Sequence, residues 1–232
     1  MKTKFVGALL GTCLLAVPAA AATEVAVVEG SFWTPDALNF LDGLPDVNAT
    51  AIQSYTADSL RPYDFVMHYG NSYFDGNALD AYVSGGGNLI ATPWMMWNNY
   101  WHDWDASPVD FAHNFANHSE LLDVSVSDPD DPYLAGVEFN NGDPVGYEGT
   151  STPRQGAVTP AWWRTDGSVL LSYMDYGQGR SFYINLQYIT SDADRAIDYE
   201  WGRTLLGNIV LVPSPASLTL LAMGVLVRRR RR

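Results

Sequence analysis

The segment that decides the fold runs from Tyr63 to Pro93 and reads YDFVMHYGNSYFDGNALDAYVSGGGNLIATP. Phe65–Met67 and Leu89–Ala91 are short apolar runs bounded by turn residues, which is typical of strands buried on both faces of a parallel sheet. Apolar residues between them recur at helical spacing, with Asp75 placed to cap a helix and Gly85 placed to end it. The segment therefore predicts a β-α-β unit of an α/β protein.

The carboxyl ends of the two predicted strands indicate where a ligand would bind. His68–Asn71 follow the first strand and Thr92–Trp94 follow the second. Ligands of open α/β sheets bind in the crevice beyond these strand ends. We therefore expect His68, Asn71 and Trp94 to lie at a binding rim.

Two strands and a helix are predicted before this unit. Val25–Val28 and Val47–Ile52 are the strands, and a helix is expected from Thr34 to Leu41 because the segment opens on Thr-Pro-Asp. The helix of the central unit covers Asn77–Val83. Right-handed crossovers between these elements would make a flavodoxin-like half-sheet.

The pattern changes after Pro93. Trp94–Asp105 is an insertion that holds four tryptophans among asparagine, histidine and aspartate residues. A helical segment is predicted from Val109 to His118. Beyond it the sequence predicts a β-meander and a last helix: strands at Ala157–Trp163, Val169–Tyr173 and Arg180–Tyr188, then a helix capped by Ser191-Asp192, with Ile197, Trp201, Leu205 and Ile209 facing the sheet.

Residues 1–22 are interpreted as a signal peptide. Two lysines precede an apolar run from Phe5 to Val17, and a small-residue cleavage site lies at Ala20–Ala22. Lipidation of Cys13 is the alternative, but Thr12 is too large for the residue before a lipidated cysteine. Cys13 is the only cysteine, so the exported chain would contain no disulfide.

Residues 212–232 are interpreted as a second targeting segment. Val212-Pro213-Ser214-Pro215 precedes the apolar run Leu218–Val227 and five arginines, Arg228–Arg232. This order resembles the PEP-CTERM sorting signal of Gram-negative bacteria, with serine in the usual place of glutamate. The resemblance implies an exosortase-type processing enzyme as partner and the cell surface or extracellular matrix as destination. A plain basic tail is the alternative.

The apolar run of the tail bears on how the chain meets the membrane. It is shorter than the roughly 20 residues that a membrane span needs, so we expect only transient anchoring in the inner membrane before processing. The arginine cluster would stay on the cytoplasmic side. If the enzyme does not cleave the tail, the segment would act as a plain anchor.

The charge of the chain changes when both ends are set aside. Seven of the thirteen basic residues lie in the ends, and all twenty-six acidic residues lie between them. The body therefore has six basic residues, no lysine and a net charge of −20. Such a surface repels phosphate backbones and anionic lipids, so we expect no nucleic-acid partner.

Three segments of the body resemble the ThuA-like group of the class I glutamine amidotransferase-like superfamily. The first combines Tyr63–Val66 with Tyr82–Leu89, the second is Asp131–Val137, and the third is Tyr176–Tyr183. The resemblance covers residues 23–211. It implies a mainly parallel sheet flanked by helices, followed by a β-meander and a final helix.

The departures from this family bear on catalysis. Thr92-Pro93-Trp94 stands where amidotransferases carry the nucleophilic cysteine, which excludes thiol chemistry. Gln187-Tyr188 replaces a Gly-His pair, and Asp131 replaces another histidine of the family. Because the group best suited to acid–base work near neutral pH is lost, we expect a non-catalytic domain.

The candidate binding residues combine flat aromatic faces with hydrogen-bonding groups, as sugar recognition requires. They are Trp94, Trp97, Asn98, Trp101, His102 and Asp103 of the insertion, with His68, Asn71 and Gln187. The alternative is that the rings only pack over the strand ends. The spacing of His102, Asp103, Asp105, His113 and His118 matches no metal motif, so no metal and no cofactor is expected.

These observations favour an exported, surface-sorted α/β protein that binds a ligand, with polysaccharide as the candidate. The alternative is a ThuA-like carbohydrate-active enzyme that uses the histidine and aspartate side chains of the insertion.

Overall fold

The computed structural model of the protein describes residues 21–28, 35–68, 74–99, 104–186 and 195–212, without the side chains of 97–99, 112–120 and 146–148. The apolar part of the predicted signal peptide and the sorting tail after Val212 lie outside the described residues. Within those ranges, no helix is long and apolar enough to cross a membrane.

Most of the described strands form one eight-stranded sheet. The strands of the chain are β1 (Thr23–Val28), β2 (Val47–Ile52), β3 (Phe65–His68), β4 (Asn88–Ala91), β5 (Val109–Leu121), β6 (Val124–Val126), β7 (Pro144–Pro153), β8 (Val158–Trp163), β9 (Val169–Tyr176) and β10 (Gly179–Ile184). The order in the sheet is β2-β1-β3-β4-β10-β9-β8-β6, and β5 pairs with β7 separately. The first five strands are parallel and the last three continue antiparallel. The predicted flavodoxin-like half-sheet with a C-terminal meander is confirmed.

In the described ranges, five α-helices cover the sheet, and the predicted ends of the central helix are confirmed. The helices are α1 (Asp36–Asp42), α2 (Ala57–Leu60), α3 (Gly76–Ser84), α4 (Pro93–Asn99) and α5 (Glu200–Leu211). The Asp75 carboxylate accepts a hydrogen bond of 3.0 Å from the backbone N–H of Ala78, and Gly85 ends α3. A 3₁₀ turn at Ala196–Asp198 precedes α5, so Ile197 lies before that helix. Its predicted cap at Ser191-Asp192 is outside the described residues.

The alternation of side chains along the strands explains why both faces of the sheet are covered. Val25 and Val27 of β1 face the core that α1 and α5 close, whereas Ala26 and Val28 face the core under α2, α3 and α4. All four side chains are fully buried. Successive residues of a strand point to opposite faces, so a continuous apolar run is required where helices pack on both.

The predicted helix from Val109 to His118 is wrong. These residues belong to β5, which runs antiparallel to β7 with an irregularity between Ala112 and Asn117. The start of the segment, Val109 to Phe111, alternates apolar and polar residues as a strand does. The strand forms because β7, later in the chain, supplies its backbone hydrogen-bond partners, and no local pattern reports that pairing.

Candidate binding site at the carboxyl edge of the sheet

His68 is the last residue of β3 and is fully buried at the carboxyl edge. Its Nε2 lies 3.1 Å from the Tyr55 hydroxyl, which accepts a hydrogen bond of 3.2 Å from the backbone N–H of Asp75. The imidazole ring meets the rings of Tyr55 and Phe74 edge-on. Because the Tyr55 oxygen already accepts from Asp75, its proton can be donated to a neutral imidazole. His68 therefore links the end of β3 to the start of α3.

Thr92 is the residue that directly follows β4. Its side chain is fully buried, and the hydroxyl donates to the backbone oxygen of His68 at 3.2 Å. Among the described residues, Asp46 is the only non-glycine residue with a positive φ. The turn at Thr92 thus lacks the strained geometry that presents a nucleophile between a strand and a helix. Its hydroxyl instead ties together the ends of two neighbouring strands.

Helix α4 begins directly after Thr92 and contains the start of the tryptophan-rich insertion. Pro93 occupies its first position, where proline is favoured because the missing N–H has no partner in the helix. Met95 and Met96 are fully buried in the core shared with α3, whereas Trp94 is only half-buried. Of the two insertion tryptophans with described side chains, Trp94 is partly exposed and Trp104 is buried.

The other end of the insertion is held by a charged clamp. The Asp80 carboxylate of α3 accepts hydrogen bonds from the backbone N–H groups of Asp105 and Ala106, at 3.1 and 2.8 Å. The Arg154 guanidinium donates to the backbone oxygen of Trp104 at 2.9 Å and to the Asp110 carboxylate at 2.7 Å. Burial raises the pKa of Asp80 above that of an ordinary aspartate.

The antiparallel pair β5–β7 lies beside the end of β10 at the same edge. Asn185 follows β10, is fully buried, and donates from Nδ2 to the backbone oxygen of Gly149 at 3.3 Å. Gly149 has a φ of 67°, and a Cβ there would come within 2.4 Å of the Phe111 ring. Only glycine therefore allows this approach of β7 to β5. No sequence pattern indicated a role for Asn185, because its partner belongs to a strand that was not predicted.

A second ionic cluster lies at the carboxyl edge on the face covered by α1 and α5. The Arg195 guanidinium bonds the carboxylates of Asp36, at the start of α1, and Asp198. Arg203 donates to the backbone oxygens of Ile197 and Asp198. The hydrogen bond from Arg195 lowers the pKa of Asp198. The cluster fixes the start of α5 to the start of α1.

Asp131, which the sequence resemblance aligned with a histidine, lies in a separate hydrogen-bond network. It is buried, accepts from the Tyr133 backbone N–H at 2.9 Å, and accepts from the Tyr173 hydroxyl at 2.7 Å. Tyr133 in turn accepts from Arg180, which also bonds Asp175 and stacks on the Tyr173 ring. Arg180 pairs with Asn88, the first residue of β4, so this network lies at the amino end of the strands.

The predicted site residues divide into three groups. His68 and Trp94 have described side chains at the carboxyl edge, and Thr92 lies at the same edge. Trp97 and Asn98 lie in α4, but their side chains are outside the described residues. The remaining candidates are outside the described residues entirely: Asn71, Trp101, His102, Asp103 and Gln187. Within the described part of the chain, no three His, Cys, Asp or Glu residues are grouped to hold a metal ion.

Comparison with known proteins relates this architecture to solved structures. No protein-family model and no curated protein sequence matches the chain. A cytoplasmic protein of Salmonella typhimurium is similar at a TM-score of 0.61 and 15% identity, over 81% of this chain and 97% of that one. A candidate ThuA-like protein of Bacteroides uniformis is similar at 0.58 and 12%, over 82% and 91%.

A candidate GMP synthase component from Thermoplasma acidophilum is similar at a TM-score of 0.58 and 12% identity, over 88% of this chain and 98% of that one. The chain has the class I glutamine amidotransferase-like fold. At these identities the likeness extends to the fold alone, and the site must be argued from its own residues.

Proposed function

We propose that this chain is an exported, exosortase-sorted protein of the cell surface or extracellular matrix, whose α/β domain binds a polysaccharide without turning it over. The observation that carries the binding proposal is the anchoring of the insertion. It begins in α4 directly after Thr92, and its other end is held by Arg154 at the Trp104 backbone oxygen and by Asp80 at the backbone N–H groups of Asp105 and Ala106. Trp94, which follows β4 at the edge where this fold binds ligands, is partly exposed and supports the proposal that the segment stacks on a sugar ring.

The polar residues next to the insertion favour binding over catalysis. The Thr92 hydroxyl is used in a hydrogen bond to backbone, and the His68 imidazole is fully buried against Tyr55. A general base must reach the proton that it abstracts, and a nucleophile must reach the reacting carbon. Stacking of a sugar ring on tryptophan needs neither.

Binding is tested with a glycan array followed by calorimetry on the purified domain, residues 23–212. Trp94→Ala should lower the affinity for the glycan that binds, since it removes the half-buried ring at the start of the insertion. Trp162→Ala is the matched control. Trp162 is also partly exposed, but it lies on β8, three strands away from β4. Equal affinity of the wild type and Trp94→Ala would contradict the site.

The second candidate is a carbohydrate-active enzyme that uses residues of the insertion. It is favoured by the position of His102 and Asp103 directly before the anchored Trp104. Both side chains could serve in acid–base catalysis if they meet a substrate. Release of reducing ends from a bound glycan that disappears in His102→Ala or Asp103→Ala would establish this function and exclude the binding-only proposal.

The sorting proposal is tested on protein from the native cell. Signal-peptide cleavage should remove both lysines, and processing of the tail should remove Leu218–Val227 and all five terminal arginines. The released protein should therefore be acidic, free of lysine and outside the inner membrane. Intact-mass spectrometry measures this directly. Secreted protein that keeps residues 218–232, or an uncleaved chain in the inner membrane, would contradict the proposal.

A further inference from the structure

Strand β6 is one of the two free edges of the eight-stranded sheet in the described part of the chain. On its paired side, the backbone oxygen of Asp123 accepts a hydrogen bond of 2.9 Å from the backbone N–H of Arg164, directly after β8. Backbone groups alternate between the two sides of an antiparallel strand, so those of Leu122 and Val124 are directed to the free side. Groups of this kind pair with any strand that reaches the edge.

The segment 140–143, which we call the edge cover, occupies this free side. The Gly142 N–H donates to the backbone oxygen of Leu122, and the Leu122 N–H donates to the backbone oxygen of Asp143, both at 2.7 Å. The Asn141 side-chain oxygen accepts from the Val124 N–H at 2.9 Å. The Asn141 amide thus takes the position that a backbone carbonyl of a neighbouring strand would occupy.

The edge cover is fixed to the core of the domain. The Asp143 carboxylate accepts from the buried Trp201 indole N–H of α5 at 2.9 Å and from the Asn140 side-chain amide at 2.6 Å. Gly142 has a φ of 107°, which favours glycine. The conformation of the edge cover therefore depends on both a tertiary contact and a glycine.

Exposed large apolar side chains concentrate beside this edge. Four such side chains are found in the described part of the chain. Three of them are close to β6 in the fold, namely Leu121, Val126 and Val158, whereas Leu211 ends α5. Val126 ends β6 and Val158 begins the neighbouring β8. An open strand edge flanked by apolar side chains is a template for pairing with another chain.

We infer that the edge cover prevents β6 from pairing with β6 of a second copy of this chain. The other free edge uses the same chemistry, since the Ala49 N–H of β2 donates to the Asp42 carboxylate at 3.2 Å. If the cover is displaced, the part-buried Val124 N–H loses its acceptor. A second copy would then supply a backbone acceptor and cover the apolar side chains, so pairing would become favourable.

The test displaces the edge cover in the full chain. Gly142→Val is the first variant, because a β-branched residue is rarely found at a φ of 107° and an added Cβ would meet no atom within 4 Å. Gly156→Val is the matched control, with a φ of 92° and equally open surroundings, in the turn between β7 and β8. Asn141→Ala removes only the acceptor of the Val124 N–H, and it decides the test if Gly142→Val does not fold.

Cross-linking reports where two copies meet. Cys13→Ser and Val126→Cys are introduced into every chain, including the one with the intact cover, so that the single thiol lies at the end of β6. Antiparallel pairing of two β6 edges brings these thiols close together, and a short bismaleimide joins them. Dimer is quantified by denaturing electrophoresis after reaction at about 0.15 M salt, where repulsion between the acidic copies is largely screened.

We expect Gly142→Val and Asn141→Ala to raise the yield of cross-linked dimer at least about tenfold over the chain with the intact cover. Gly156→Val should leave the yield unchanged. Equal yields with and without the cover substitutions would overturn the inference. A similar rise in Gly156→Val would also overturn it, because it would show association of a loosened fold. Extensive cross-linking with the cover intact would show that the edge is open and would contradict the inference as well.

Discussion

The two ends of the parallel strands use polar groups in different ways. At the amino end, Arg180 bonds Tyr133 and Asp175, and its guanidinium stacks on Tyr173. At the carboxyl end, His68 lies 3.1 Å from the Tyr55 hydroxyl, and the Thr92 hydroxyl donates to the His68 backbone oxygen at 3.2 Å. The amino end is thus stabilised by a buried guanidinium with a carboxylate partner, and the ends of β3 and β4 by hydrogen bonds of hydroxyl groups.

This contrast separates polar residues that stabilise the fold from those that are available to a ligand. Asp131 resembles a functional residue by its place in the sequence, yet both of its carboxylate oxygens accept hydrogen bonds inside the domain. Burial, together with the hydrogen bond to Asp131, raises the pKa of Tyr173. The polar network of Asp131, Tyr173 and Arg180 therefore serves to stabilise the fold. We expect loss of a charge at the amino end to cost more stability than any single change at the carboxyl end.

Arg180→Ala should give the largest effect. It removes a side chain only 10% exposed, its charge-assisted bond to Tyr133 and its stacking on Tyr173. We expect the free energy of unfolding to fall by about 3 kcal/mol, measured by urea denaturation. Arg61→Ala is the control, because the Arg61–Asp58 pair is exposed and should contribute less than about 1 kcal/mol. Similar losses of unfolding free energy in the two variants would contradict the larger contribution expected for Arg180.

Arg195→Ala tests the ionic cluster of the carboxyl edge, where the Asp36 and Asp198 carboxylates are nearly half-exposed. We expect the free energy of unfolding to fall by about 2 kcal/mol near neutral pH. This is less than the loss expected for a fully buried ion pair, because solvent screens the charges. Because Arg195 lowers the pKa of Asp198, this stabilisation is present above the pKa of an unfolded aspartate and is lost as the pH falls through the folded pKa. Denaturation at about pH 7 and at about pH 3 should therefore show a smaller effect in acid. A pH-independent loss would contradict this account.

Asp80→Asn should reveal the opposite pH dependence. Burial raises the pKa of Asp80, so its protonated form is favoured by folding and stability is lost as the pH rises through the folded pKa. Asparagine keeps one oxygen for the N–H groups of Asp105 and Ala106, and we expect a change of at most about 1.5 kcal/mol. The stability of the variant relative to wild type should improve from about pH 4 to about pH 7. A relative decline over this range would show that the hydrogen bonds outweigh burial.

Thr92→Val should give the smallest effect, a loss of about 1 kcal/mol, because it removes one hydrogen bond to the His68 backbone oxygen and keeps the shape of the side chain. The control is Thr50→Val on the exposed face of β2, which should change stability by less than about 0.5 kcal/mol. Thermal unfolding of both variants measures the difference. A loss of several kcal/mol at Thr92 would place it among the residues that determine the fold.

Local patterns determined a large part of the architecture. The apolar runs at Val25–Val28, Phe65–Met67 and Leu89–Ala91 predicted buried parallel strands, and the structure confirms them. Asp75 and Gly85 predicted the ends of α3 because each acts on backbone groups within a few residues. Of the candidate site, the sequence identified His68 and Trp94 by the rule that loops after parallel strands form the rim.

Only the tertiary structure decided the features that depend on residues distant in sequence. Val109–Leu121 is a strand because β7 pairs with it, although a helix was predicted from Val109 to His118. Asn185 gained its role from Gly149, and Arg154 from Trp104 and Asp110. Short-range preferences of the backbone can be read from neighbouring residues, whereas hydrogen bonds between separate elements exist only after the chain has packed them together.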